Sequence, residues 1–267
     1  MPIARWKTLC DTVKTPHSIS SDGNVCIINS TENNGIVVFK SENRMFREIQ
    51  RINSAGTYPH KIIYDNKNML FYCIADSSQE LSVLKNINGN VELVKTLKLD
   101  YLGNSFVRSI RIIDDKLFFV SGPGKIIAAS YANLEFDMKE EYEVPFELYG
   151  MNDIIKIGSF YYISAYQNKN FEIKPKLVRI KDLGQLKQGN YENIYDLLDL
   201  KGVPYYFSIF DDRVFLTQID SFSGIVSFVV DGDEIRDIRT HYDFDMPTKE
   251  SLQRLKSNGT WFSHIQE

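Results

Sequence analysis

Three carboxylates in the sequence have the residue types that hydrolysis of a glycosidic bond requires. That reaction uses two acids roughly 5–10 Å apart, one protonated and one ionised. Glu147 and Asp153 lie close together in the segment PFELYGMND, and Asp76 follows the apolar stretch LFYCIA. Glu147, Asp153 and Asp76 are therefore candidate catalytic residues, provided that the fold brings them together.

A second set of side chains suits the binding of a polar ligand. Its members are His17, His60, Arg108, Asn152, Tyr205 and Tyr166. Imidazole, guanidinium, amide and phenol groups offer hydrogen bonds, and a tyrosine ring also offers an apolar face to the C–H groups of a sugar. Tyrosine and arginine are equally frequent at protein–protein hot spots, so a protein partner is the alternative ligand.

Metal, cofactor and nucleophile chemistry receive little support from the sequence. His17 and His60 invite a metal ion with Asp153 or Asp76 as a third ligand, but no short-spaced HxH, HExxH or CxxC motif accompanies them. A histidine that follows proline also commonly hydrogen-bonds a neighbouring backbone. We therefore predict no metal site.

The cysteines and the glycine-containing turn have simpler interpretations. Cys26 and Cys73 occupy apolar segments, VCII and FYCIA, where a thiol packs as a small hydrophobic group. The segment SGPGK lacks the frame of a phosphate-binding loop and is typical of a turn between strands. We predict no cofactor.

A repeated pattern indicates which elements position these residues. Five segments, which begin at Pro16, Pro59, Val107, Met151 and Pro204, each read as a short strand, a polar turn and a more apolar strand. The second residues of these segments, here called the marker residues, are His17, His60, Arg108, Asn152 and Tyr205. They are 43, 48, 44 and 53 residues apart. This spacing is typical of a four-stranded propeller blade.

The repeat predicts blades at about 16–58, 59–106, 107–150, 151–203 and 204–244. The segments 1–15 and 245–267 then close or cap the domain, or else begin a sixth blade. Residues 248–258 form an amphipathic pattern that predicts a short C-terminal helix. The fourth blade is longer than the others, and its part from Asn190 to Leu200 is compatible with a short helix in place of a regular outer strand.

The arrangement of a propeller places the marker residues at one end of the innermost strands, around the mouth of the central channel. Tyr166 ends a second strand and is expected at the same mouth. The polar turns, which include Asp114 and Asp211, are expected at the opposite end, and we assign them no chemistry. A concave mouth with convergent polar groups is where ligands most often bind.

The recurring pattern P-H-x-I followed by D-x-(x)-N-x-hydrophobic, as in the segments from Pro16 and Pro59, resembles the repeat of NHL- and YncE-type β-propellers. The resemblance covers about residues 16–244. Five-bladed members occur among carbohydrate-active and lectin propellers, which implies a carbohydrate ligand. In five-bladed glycosidases the acids come from blade entrances, but the first entrance here is Pro16-His17-Ser18, which lacks one. A fold-level resemblance does not by itself assign a function.

Composition and charge exclude several other classes of protein. The chain has a net charge of −4, which disfavours a nucleic-acid partner. Its hydrophobic fraction of 43% is that of a globular protein, and no apolar run reaches the length of a membrane span. Three cysteines and an N-terminus without a secretory signal predict a cytoplasmic location.

Together, these patterns predict an all-β, single-domain, five-bladed β-propeller of four-stranded blades with a short C-terminal helix. Its expected function is to bind a polar small molecule or a glycan at the channel mouth. Glycoside hydrolase-like chemistry there is a further hypothesis, and a non-catalytic scaffold for a protein partner is the alternative.

Overall fold

A computed structural model of the chain describes residues 13–42, 45–99, 106–122, 124–132, 135–167, 173–198, 200–219 and 224–243. The chain divides into two compact units, and the described residues of these units are 13–99 and 106–243. The short C-terminal helix expected at 248–258 and the closing segment expected at 245–267 lie outside the described residues, as do residues 1–12 of the closing segment expected at 1–15.

The first unit contains two antiparallel four-stranded sheets in the orders β1-β2-β3-β4 and β5-β6-β7-β8. Its strands are β1 (Ile19–Ser21), β2 (Val25–Ser30), β3 (Gly35–Glu42), β4 (Met45–Ile52), β5 (Pro59–Asp65), β6 (Leu70–Ala75), β7 (Glu80–Ile87) and β8 (Asn90–Lys98). One 3-10 turn, Thr31–Asn33, connects β2 to β3.

The second unit contains three sheets in the orders β9-β10-β11-β12, β13-β14-β15-β16 and β17-β18-β19-β20. Its strands are β9 (Phe106–Ile113), β10 (Lys116–Gly122), β11 (Lys125–Ala132), β12 (Glu135–Glu143), β13 (Met151–Ile157), β14 (Phe160–Gln167), β15 (Ile173–Ile180), β16 (Glu192–Asn193), β17 (Val203–Phe210), β18 (Arg213–Ile219), β19 (Gly224–Asp231) and β20 (Glu234–Asp243). Three 3-10 helices, Phe146–Leu148, Leu183–Gln188 and Asp196–Leu198, connect them.

These five sheets are the blades of an all-β, five-bladed β-propeller, so the fold class predicted from the repeat is confirmed. Each sheet lies within one of the five predicted blade intervals to within one residue. In each sheet the strands follow one another in chain order, as successive hairpins must.

The turns between first and second strands have the backbone that their residues favour. Asp114 and Asp115, which join β9 to β10, both have positive φ, at 49° and 61°. A two-residue hairpin turn of this type needs positive φ at both positions, and aspartate tolerates it better than most residues do. Asp211 in the equivalent turn of the fifth sheet has φ 54°. In these two turns the residue types were therefore informative signals of the backbone conformation.

In the second blade, burial decreases from the second strand to the outer strand. All six residues of the second strand β6 are buried, whereas in β8 only Val91 is buried. Strand β6 is continuously apolar because both of its faces pack against neighbouring elements, whereas the outer strand β8 is exposed to water. Apolar clusters form where neighbouring sheets face each other, for example around Phe71 in the first unit and around Phe207 in the second.

The fourth sheet departs from this plan at its outer edge. Its outer strand β16 has only two residues, and 3-10 helices flank it on both sides. A short helix was the expectation for Asn190 to Leu200, and the structure has the single 3-10 turn Asp196–Leu198 there. Leu186, Ile194 and Leu198 are buried, so this irregular segment covers the sheet with apolar side chains as an outer strand would.

Candidate functional site

The residues predicted to bind a ligand fall in both units. His17 and His60 belong to the first unit, whereas Arg108, Asn152, Tyr166 and Tyr205 belong to the second. The second group lies at one end of β9, β13, β14 and β17. The larger group, in the second unit, provides the more complete site.

In the second unit, arginine and tyrosine side chains meet at the start of the inner strands. The Arg108 guanidinium is half-buried, and its Nη2 donates to the hydroxyl of Tyr166 at 3.4 Å. The rings of Tyr205 and Tyr206 lie 4.4 Å apart between centroids, at 42° to each other. We call Arg108, Asn152, Tyr166, Tyr205 and Tyr206 the Arg108 cluster. It combines a cation, phenol hydroxyls and aromatic faces.

Tyr206 connects two inner strands of the Arg108 cluster. Its hydroxyl donates to the backbone carbonyl of Arg108 at 2.9 Å. Burial, followed by the neighbouring Tyr205 and Asp153, raises the pKa of Tyr206 well above its usual value. The phenol therefore stays protonated and acts as a hydrogen-bond donor that holds β17 near the first residues of β9.

Two buried polar atoms close to this cluster have no hydrogen-bond partner among the described residues. Asn152 is fully buried, and its Nδ2 donates to the carbonyl of Pro204 at 3.0 Å, but its Oδ1 has no partner. Ser121 on β10 is also fully buried, and its Oγ has none. Ser121 lies opposite Val107, the residue before Arg108. Such atoms are rare in folded proteins and require an explanation.

Asp153, which we predicted as a catalytic carboxylate, is fully buried in a network of donors. Its Oδ1 accepts from Ser109 Oγ at 2.5 Å and from Arg111 Nε at 2.9 Å. Its Oδ2 accepts from Arg111 Nη2 and from the backbone N–H of Phe207, the latter at 3.0 Å. Arg111 also donates to the carbonyl of Phe207. One carboxylate thus joins β9, β13 and β17.

The ion pair also determines the charge state of Arg111. Burial lowers the pKa of this guanidinium, but the charge of Asp153 and its hydrogen bonds outweigh burial and raise the pKa above its ordinary value. A buried carboxylate with this many donors has little remaining capacity to act on a substrate. These contacts favour an anchoring role for Asp153.

The other two candidate acids lie in different surroundings. Glu147 belongs to the 3-10 turn before β13, and it accepts a hydrogen bond from the Tyr191 hydroxyl at 2.8 Å. Burial and this hydrogen bond raise the pKa of Tyr191. Asp76 lies in the first unit, directly after β6, and is 8% exposed. Glu147 and Asp153 are therefore the two that share a unit.

In the first unit, His17 and His60 are neighbours, with ring centroids 4.2 Å apart. Asn29 holds the chain beside them, because its Oδ1 accepts from the backbone N–H groups of His17 at 3.2 Å and Ser18 at 2.6 Å. Its Nδ2 donates to the carbonyl of Pro59 at 2.7 Å. His60 is 1% exposed, so it packs between the sheets of this unit.

A repeated contact between sheets was missing from the sequence prediction. Ser18 Oγ accepts from the backbone N–H of Ile62 at 2.7 Å, and Asp153 Oδ2 accepts in the same way from Phe207. Ser18 and Asp153 each follow a marker residue, and Ile62 and Phe207 each lie two residues after one. The position after each marker residue could have indicated this contact, but the residue type at that position differs from blade to blade.

Among the residues that the structure describes, no group of three or more His, Cys, Asp or Glu side chains is arranged to hold a metal ion. No helix in the same part of the chain is both long enough and apolar enough to cross a bilayer.

Comparison with known proteins finds likeness in structure alone. No protein-family model matches the sequence, and no curated protein matches it. Among solved structures, a candidate 6-phosphogluconolactonase from Bacteroides uniformis is 15% identical with a TM-score of 0.61, over 87% of this chain and 72% of that one. The counterpart from Bacteroides fragilis is 15% identical with a TM-score of 0.60, over 86% and 70%.

A third similar structure is a streptogramin B lyase. It is 16% identical with a TM-score of 0.57, over 90% of this chain and 72% of that one. At these identities the likeness shows the fold and leaves activity open. The chain therefore has the β-propeller fold of these enzymes, with its own set of residues at the ends of the inner strands.

Proposed function

We propose that this protein binds a hydroxyl-rich small molecule or glycan at the Arg108 cluster. The observation that carries the proposal is the contact between the Arg108 guanidinium and the Tyr166 hydroxyl beside the paired rings of Tyr205 and Tyr206. Guanidinium and phenol groups hydrogen-bond sugar hydroxyls, while tyrosine rings pack on C–H faces.

The buried amide of Asn152 supports the same proposal. Its unpartnered Oδ1 is an acceptor in a site otherwise rich in donors. An unmet buried acceptor costs about 1–3 kcal/mol, so a ligand or solvent hydroxyl that donates to it is favoured. A polyol supplies hydrogen-bond donors and acceptors together, which matches a site that combines the Asn152 acceptor with several donors.

The names of two structural neighbours agree with a sugar-related ligand. Both are candidate 6-phosphogluconolactonases, although only 15% of their residues are identical to this chain. Hydrolysis by Glu147, Asp153 and Asp76 stays a prediction. The contacts of Asp153 weigh against it, because its donors hold it in an ion pair with Arg111.

A binding panel tests the proposal. The probes are a glycan microarray and titrations with glucose, galactose, glucuronate and 6-phosphogluconate, followed by NMR and thermal shift. We expect Arg108→Ala and Tyr166→Phe to weaken binding of the best probe at least tenfold, with the melting temperature nearly unchanged. Arg236→Ala and Tyr142→Phe are matched controls on the outer strands β20 and β12, and they should bind as the unmodified protein does.

Two results would overturn the proposal. In one, Arg108→Ala and Tyr166→Phe lower the melting temperature while the folded fraction binds normally, which would make the cluster structural. In the other, no probe binds the unmodified protein.

A protein partner is the second candidate, and exposed aromatic residues favour it. Phe106 at the start of β9 is 50% exposed, and Phe146 in the turn before β13 is 49% exposed. Exposed phenylalanines beside arginine are typical of interface hot spots. If a protein binds here, Phe106→Ser and Phe146→Ser should abolish the complex without changing the melting temperature, and no sugar probe should bind.

A further inference from the structure

A cavity that contains none of the predicted site residues lies at the other end of the same inner strands. It has a volume of about 400 Å³ and is lined by residues from the ends of β9, β13 and β17, including Arg111, Ile113, Asp114, Ile155, Lys156 and Ile209. We call it the turn-end cavity, because the hairpin turn at Asp114 borders it. Its volume is within the range of ~300–1,000 Å³ that is usual for small-molecule sites.

Four of the eight residues that line the turn-end cavity are isoleucines, and charged side chains provide most of its remaining wall. Ile113 and Ile155 are 7% and 4% exposed, so they provide a rigid apolar surface. Ile209 is 54% exposed and lies at the open side. An exposed isoleucine next to buried ones loses water-accessible apolar area when a hydrocarbon chain covers it, which favours binding.

Arg111 supplies hydrogen-bond donors to this cavity. Its Nε and Nη2 both donate to the carboxylate of Asp153, and Nη2 also donates to the backbone carbonyl of Phe207. Among the described residues its Nη1 has no hydrogen-bond partner. The side chain is 19% exposed, so two N–H groups of a mostly buried cation remain available beside apolar walls.

Lys156 provides a second cation at the same wall. Its ammonium group pairs with Asp114, whose side chain is 61% exposed at the tip of the turn. An exposed ion pair contributes only about 0–1 kcal/mol, so a second carboxylate can displace Asp114 at little cost. By contrast, Asp153 is fully buried, so breaking its pair with Arg111 to admit another carboxylate would be costly.

We propose that the turn-end cavity binds a small aliphatic carboxylate. The carboxylate oxygens accept from Arg111 Nη1 and Lys156 Nζ, and the hydrocarbon chain packs on the isoleucines of the cavity wall. A carboxylate suits these groups because both polar residues offer only donors, and hydrogen bonds between charged groups are the stronger ones. This site is separate from the Arg108 cluster and independent of the function proposed for it.

The first test compares three ligands of equal chain length on the full protein. Saturation-transfer NMR and thermal shift are measured with hexanoate, hexanamide and hexylamine. We expect hexanoate to bind with a dissociation constant of roughly 1 mM, which is reasonable for so few atoms. Hexanamide should bind at least fivefold more weakly, and hexylamine should not bind. Equal binding of the three, or no binding of hexanoate, would overturn the proposal.

Variants then locate the site and test the sign of the charge effect. Ile209→Asp places a carboxylate at the open wall and should weaken hexanoate binding at least tenfold. Phe210→Asp, one residue further and outside the lining, is its control and should bind normally. Asp114→Asn removes the competing carboxylate and should tighten binding severalfold. Normal binding by Ile209→Asp, or weaker binding by Asp114→Asn, would refute the site.

One further variant separates this site from the Arg108 cluster. Arg108→Ala should leave hexanoate binding unchanged. Loss of hexanoate binding in this variant would place the ligand at the Arg108 cluster and overturn the inference, whether or not the sugar probes bind there.

Discussion

Asp153 on β13 and Arg111 on β9 form an ion pair in which the carboxylate is fully buried. Two contacts extend this pair to its neighbours, since Ser109 donates to the carboxylate from β9 and the backbone of Phe207 donates from β17. The pair therefore connects the inner strands of three successive sheets. It lies between the Arg108 cluster at one end of these strands and the turn-end cavity at the other.

We predict that Asp153→Asn lowers the free energy of unfolding by about 3–5 kcal/mol. The substitution leaves the guanidinium of Arg111 buried without its counter-charge. Urea unfolding measures the change. Asp114→Asn removes the partner of an exposed pair with Lys156 and should cost less than about 1 kcal/mol. Equal costs for the two variants would show that Asp153 is not an anchor.

Gly124 should tolerate no side chain. It has φ +88°, and a Cβ there would lie 2.7 Å from Cε1 of Tyr149. We expect Gly124→Ala to reduce stability by about 1–3 kcal/mol more than Gly89→Ala. Gly89 is a matched control, because its φ of +93° is similar and nothing lies within 4 Å of its Cβ position. Thermal unfolding of both variants measures the difference, and equal melting shifts would contradict the clash.

Asp22 should make the first unit sensitive to acid. Burial raises the pKa of its carboxyl group, but hydrogen bonds from Val25, Asn86 and Asn24 outweigh burial and lower the pKa below 3.8. The resulting stabilisation is complete when the pH is above the pKa that the group has in the unfolded state. It is lost as the pH falls through the lower pKa that the group has in the folded state.

The corresponding experiment compares the unmodified protein with Asp22→Asn. We expect the variant to be less stable at pH 7 by about 1 kcal/mol or less, because the group is partly exposed. This gap should shrink as the pH falls below 3.8. Urea unfolding at several pH values measures it, and a gap that stays constant down to pH 3 would show that the charge contributes nothing.

Cys73 should be inert in the folded protein. Burial raises the pKa of its thiol to about 12, and the residue is fully buried in β6. Only the thiolate reacts with alkylating agents, so iodoacetamide at pH 8 should leave Cys73 unmodified. Cys26 is partly exposed and should react first. Mass spectrometry of peptides distinguishes the two, and both should react in urea. Labelling of Cys73 as fast as Cys26 without urea would contradict its burial.

The fold could be predicted from local patterns in the sequence. A strand shows its burial in its own residues, as the continuously apolar β6 and the mostly exposed β8 do. The turn at Asp114 and Asp115 depends only on the backbone preference of those residues. Because such signals act within a few residues, the sequence was sufficient to predict five four-stranded blades.

The roles of particular side chains depended on contacts between distant residues. Asp153 and Arg111 are 42 positions apart, and Ser109 and Asp153 are 44 apart. Asp153 at a blade entrance is a candidate catalytic acid from the sequence, whereas its contacts with Arg111, Ser109 and Phe207 favour an anchoring role. Arg108 and Tyr166, which were both predicted as ligand residues, lie 58 positions apart and do meet.

The sequence by itself therefore determined the repeat, the turns and the set of polar residues at the start of each inner strand. Only the tertiary structure decided which of those residues pair with each other, which remain unpartnered, as Asn152 Oδ1 does, and where the turn-end cavity opens. The physical reason is that strand and turn preferences act locally along the chain. Hydrogen bonds and ion pairs between sheets depend instead on how the inner strands of successive sheets are aligned with one another.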